Sequence, residues 1–76
     1  MKFNVNEIWA DRDGCLVMII AIDDRGNYPI RVVDLKDQSF FLTYTSSGHE
    51  VGMDLESKHD LVELRGTKVD FPEYFL

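Results

Sequence analysis

The chain has 76 residues, 45% of them hydrophobic, with 8 Lys and Arg against 14 Asp and Glu for a formal charge of −6. That length holds one core and no second domain, and the hydrophobic share excludes a disordered polymer. The cations are scattered from Lys2 to Lys68, which excludes the clustered basic footprint of a duplex nucleic-acid binder. From the N-terminus, Phe3 and Val5 alternate with Asn4 and Asn6, predicting a first strand from about Phe3 to Trp9. Ala10-Asp11-Arg12-Asp13-Gly14 then reads as a turn. Cys15 to Ile22 is an unbroken apolar run rich in β-branched residues, so a second strand is predicted there with cover on both faces. A five-strand barrel supplies one cover, and the other falls to the C-terminal tail, a partner subunit or a bend in the strand itself.

Asp23 to Asn27 is a strong turn, and a third strand follows from Tyr28 to Asp34, with Tyr28, Ile30 and Val32 on one face. Pro29 confines the start of that strand to an edge or a bulge. In the fourth strand, Ser39 to Thr45, Phe40, Leu42 and Tyr44 alternate with Ser39, Phe41, Thr43 and Thr45, so Phe41 falls on the outer face. Ser46 to His49 turns the chain again. Ser57 and Asp60 have capping-box-like spacing, which predicts a short helical turn before a fifth strand from Leu61 that Gly66 ends. Val69 to Leu76 is too apolar to stay loose in water and should dock.

These elements predict an all-β fold, a small five-stranded SH3-like barrel over residues 1–66 with a short helical turn before the last strand. An OB-like barrel is the alternative. Residues 67–76 are expected to form an aromatic tail docked on the barrel or on a partner. One cysteine cannot make an internal disulfide, and there is no signal-peptide block or bilayer-length apolar run. A cytoplasmic protein without a membrane partner is the expectation.

The titratable residues offer little chemistry. Cys15 opens an apolar strand and is expected to be a buried, inert thiol. His49 and His59 lack the close pairing of metal sites and are expected to be surface-loop side chains, so neither a metal nor another cofactor is expected. Ser46, Ser47 and His49 beside Asp54 do not make a nucleophile elbow, and no catalysis is expected. The Asp-rich segments around Arg12 and Arg25 lack the ligand spacing of calcium loops and read as turns.

What remains is a set that would bind rather than react: Arg12, Tyr28, Arg31, Phe41, Tyr44 and Thr45. Aromatic faces with Arg hold a base and a phosphate, or anchor a protein hot spot. The competing reading places Trp9, Tyr28 and Tyr44 in the core, so Arg31 and Phe41, on the predicted outer face, weigh most. Phe71, Tyr74 and Phe75, with Asp70 and Glu73, form a rival segment for protein interaction, or a self-packing one.

Trp9-Ala10-Asp11-Arg12-Asp13-Gly14, Tyr28-Pro29-Ile30, Tyr44-Thr45-Ser46-Ser47-Gly48 and Asp60-Leu61-Val62 follow one another in an order that resembles small uncharacterised proteins of tailed phages. The resemblance spans roughly residues 5 to 64. It implies a non-enzymatic protein that counters bacterial defence by sequestering a signalling nucleotide or by inhibiting a host defence protein. A homo-oligomer in the host cytoplasm is the accompanying expectation. An acidic module that inhibits a host enzyme directly, or a structural SH3-like component, are the alternatives.

Overall fold

The computed structural model describes residues 3–23, 25–49 and 59–75. Five strands carry the fold: β1 (Glu7–Asp11), β2 (Leu16–Ile22), β3 (Ile30–Asp34), β4 (Phe41–Tyr44) and β5 (Leu61–Thr67). They form one antiparallel sheet in the order β4-β3-β2-β1-β5. The first four make a meander, and β5 returns to pair with β1. At one end the sheet curls on itself, where the Leu61 amide donates to the Gly48 carbonyl at 2.9 Å. The protein is therefore all-β and barrel-like, and the helical turn expected around Ser57 lies outside the described residues.

Several boundaries differ from the sequence reading. Phe3 to Asn6 does not pair as a strand; Asn6 takes a positive φ of 73° and its amide donates to the Ile19 carbonyl at 2.8 Å. β1 consequently starts at Glu7 and runs into the expected turn as far as Asp11. β3 starts only after Pro29, which has no amide hydrogen for the ladder, so Tyr28 leaves the face it was expected to share with Ile30. Phe40 lies before β4 and is exposed rather than core. Cys15 precedes β2 and is also exposed, because the strand proper begins at Leu16.

The inner face of the curled sheet holds Phe3, Trp9, Val17, Ile19, Ile30, Val32, Tyr44 and Leu61. Phe3 and Trp9 meet with ring centroids 4.6 Å apart. Gly48, at φ 84°, sits against the Phe3 ring, and a Cβ there would stand 2.7 Å from the Phe3 Cζ atom. On the outer face, cross-strand register lines up Gly66, Ile8, Met18, Val33 and Phe41 in one row. The next row is Ala21, Arg31 and Thr43.

The C-terminal tail covers most of the first row. After β5 it makes two short 3-10 turns, Lys68–Asp70 and Pro72–Tyr74. Phe71, Tyr74 and Phe75 pack against Ile8, Met18, Val33 and Leu35 as a second apolar cluster. Polar contacts fix the path: the Thr67 amide donates to Asp70 Oδ2 at 2.8 Å, and the Lys68 amide to the Asn6 carbonyl at 2.9 Å. The Gln38 side-chain amide then donates to the Tyr74 carbonyl at 2.7 Å. The double cover inferred for the apolar run of β2 holds from Val17 to Ile19, with Val17 and Ile19 inside and Met18 beneath the tail. It ends at Ile20, which is exposed.

Candidate functional site

Three of the six residues expected to bind a ligand come together. Tyr28, Arg31 and Phe41 line an open cleft of about 620 Å³ with Ile20, Leu42 and Thr43, a size usual for small-molecule sites. The cleft lies on the outer face of β2, β3 and β4, beyond the rim of the tail.

Local sequence explains each wall. The β2–β3 ladder shifts register between Ile19 and Ala21, so Ile20 is an extra residue on β2. Such a bulge re-aims side chains: Ile19 stays inside opposite Val32, Ala21 stands outside opposite Arg31, and Ile20 is released into the cleft. Arg31 points outward because its neighbours Ile30 and Val32 point inward, and strand side chains alternate. Its cross-strand partners are small, Ala21 on one side and Thr43 on the other, leaving its stem and guanidinium uncovered. Phe41 opens β4 opposite Val33 and is 61% exposed.

Tyr28 stands at the end of the β2–β3 loop. The Asp23 amide donates to the Pro29 carbonyl at 2.8 Å, and Asp23 takes hydrogen bonds from the Arg25 amide and guanidinium. The bonds from Arg25, and then the attraction of Arg31, hold the Asp23 carboxyl below the usual carboxylate range. Asp23 is thus the nearby anion that Arg31 feels across the loop.

The other three expected residues are elsewhere. Tyr44 is fully buried in the inner core, since it faces Ile30 on the inside of the ladder. Thr45 caps the following turn, where its hydroxyl oxygen accepts the amides of Ser47 and His49 at 3.3 and 3.2 Å. Arg12 sits in the β1–β2 turn at the curled end of the barrel, with its Nε 3.7 Å from Asp60 Oδ2. Trp9 is a core residue whose indole N–H reaches Glu7 at 3.1 Å. Phe71, Tyr74 and Phe75 are half-buried on the protein's own sheet.

A second polar constellation escaped the sequence reading. Asp11 and Asp60 are both buried, at 3% and 1% exposure, and each faces a histidine. His49 Nδ1 is 3.1 Å from Asp60 Oδ2, and His59 Nδ1 is 3.5 Å from Asp11 Oδ2. Asp11 also accepts the amides of Asp13 and Cys15, each at 2.9 Å. These contacts tie the β1–β2 turn, the turn after β4 and the start of β5 together. They satisfy two buried charges, and the histidines are partners in that lock rather than free loop side chains. The only sequence signal was the presence of Asp and His beside strand ends, which is too common to single out.

Among the described residues no group of three or more His, Cys, Asp or Glu is placed to hold a metal ion, and no helix is long and apolar enough to cross a membrane. No protein-family model, curated protein or solved structure matches the chain.

Proposed function

We propose that this chain is a non-enzymatic binding protein whose ligand is small, planar and anionic, of nucleotide type, held in the cleft of Tyr28, Arg31 and Phe41. One observation carries the reading: a guanidinium and two exposed aromatic rings share a single open cleft, which Ile20, Leu42 and Thr43 also line. Rings of this kind stack on bases, and the Arg fork bonds phosphate oxygens. Thr43 adds a hydroxyl beside the guanidinium.

The resemblance to tailed-phage proteins gives the reading its setting: sequestration of a defence signal in the cytoplasm of a bacterial host, countering a defence pathway. Assembly as a homo-oligomer belongs to the same proposal, with Phe41 at the rim of the cleft available to a second copy. A protein interface built on the tail has less support, because Phe71, Tyr74 and Phe75 would have to leave Ile8, Met18 and Val33 to reach a partner.

Equilibrium dialysis of the protein against a small-molecule extract of bacteria tests the reading. The wild type should retain nucleotide-type compounds that Arg31→Ala does not. Identical retention by the two proteins, or none by either, would overturn it.

A further inference from the structure

We infer that the cleft selects ligands bearing a single negative charge beside a planar ring, the chemistry of a nucleotide whose phosphate is a diester, over nucleotides with a free triphosphate. This rests on the nucleotide-type reading of the cleft and adds the charge class of the ligand.

Of the six lining residues Ile20, Tyr28, Arg31, Phe41, Leu42 and Thr43, Arg31 alone is charged. A planar guanidinium grips one phosphate group with two parallel hydrogen bonds and compensates one charge. Its ladder neighbours Ala21 and Thr43 supply no second cation. Across the β2–β3 loop, Arg25 is engaged by Asp23, with its Nε 3.1 Å from Asp23 Oδ1.

Every further charge on a ligand would therefore go without a cationic partner among the lining residues. Asp23 and Arg25 offset each other in their ion pair, and the chain as a whole carries −6. Opposite charges a few ångströms apart attract, while the remainder of a triphosphate would face a chain of net negative charge without compensation. A ligand with no charge fails for the opposite reason, since it forgoes the Arg31 fork. Stacking on Tyr28 and Phe41 reads any base, because every base has a π face, so selection falls on charge and not on base identity.

Calorimetric titration of the full chain at low salt, without magnesium, would compare 3′,5′-cyclic AMP, 3′,5′-cyclic GMP, ATP and adenosine. The two cyclic nucleotides should bind within a few-fold of each other, and ATP and adenosine at least about tenfold more weakly. Arg31→Ala should bring the cyclic nucleotides down to the level of adenosine with an unchanged melting temperature, and Arg31→Lys should fall between, keeping the charge and losing the fork. ATP binding as tightly as the cyclic nucleotides would overturn charge selection and leave the nucleotide-type reading standing. So would adenosine binding as tightly. Binding of none of the four would overturn both.

Discussion

The outer face of the sheet is built in two rows that differ in what lies over them. The Ile8, Met18 and Val33 row is sealed by Phe71, Tyr74 and Phe75, whereas the row containing Arg31 and Thr43, with Ile20 beside it, is left open. Both rows are largely apolar on β2, so hydrophobicity alone does not decide which is covered. The difference lies at their ends. The first row finishes in Gly66, whose missing side chain lets the chain fold back across it. The second carries Arg31, whose charge the tail's rings could not bury without a partner. A small sheet can thus spend its few aromatic residues on one half and leave the other for a ligand.

Removing the seal should have the largest effect. A chain ending at Asp70 strips the cover from Ile8, Met18, Val33 and Leu35. At roughly 1–2 kcal/mol for each of three half-buried rings, it should lose about 3–6 kcal/mol, a fall in melting temperature of more than about 10 °C. Circular dichroism melts check this; a truncated chain that melts like the full one would show that the two rows are equally self-sufficient.

Paired substitutions on β2 sharpen the contrast. Met18→Ala under the tail should cost about 2–4 kcal/mol in urea unfolding, while Ile20→Ala, two residues along the same strand, should cost less than about 1 kcal/mol. Equal costs would mean that the cleft is closed in solution.

Gly66→Ala tests the point where the tail folds back over the first row. Gly66 has φ 145°, and a Cβ there would lie 2.7 Å from Asp70 Oδ2. A loss of about 1–3 kcal/mol is expected from strain and displacement of the tail, read from the same denaturation curves. Because Asp70 also holds the Thr67 amide, the control is Asp70→Ala: a Gly66→Ala cost that shrinks in the Asp70→Ala background would confirm that the clash contributes.

The smallest effect concerns acid. Burial pushes the Glu7 carboxyl up, but hydrogen bonds from the Asn4 amide, the Trp9 indole and the Asn4 side chain outweigh it and leave the carboxyl below its ordinary value of 4.5. A carboxyl lowered in the folded state adds stability that is complete above its unfolded pKa and is lost as pH falls through the folded one. Between pH 5 and pH 3, roughly, wild type should therefore lose stability relative to Glu7→Gln, by less than about 1 kcal/mol given its exposure. A Glu7→Gln protein that loses as much as wild type over that range would remove Glu7 from the acid response.

The strands and their order of appearance were legible in the sequence because turns rich in Gly, Asp and Pro punctuate them. Leu42 and Tyr44 inside with Phe41 outside also followed from alternation, as did Arg31 outside between Ile30 and Val32. The same alternation argued against Tyr44 as a ligand contact, and the structure places it in the core. The bulge at Ile20 was not legible: in a run where every residue is apolar, a slip of one position leaves no mark on the pattern. Tyr28 was misplaced because a period of two was carried across Pro29. The pairing of Asp60 with His49 and Arg12 depends on contacts between segments far apart in the chain, to which local periodicity is blind.

The central claim, that the open row is a ligand site and the sealed row is structure, is tested most directly by mapping amide chemical shifts during titration with 3′,5′-cyclic AMP. The account predicts shifts confined to Ile20, Tyr28, Arg31, Phe41 and Thr43 and their neighbours, with Phe71 to Phe75 unmoved. Shifts centred on the tail or on the His49 and Asp60 end, or no shifts at saturating nucleotide, would contradict it.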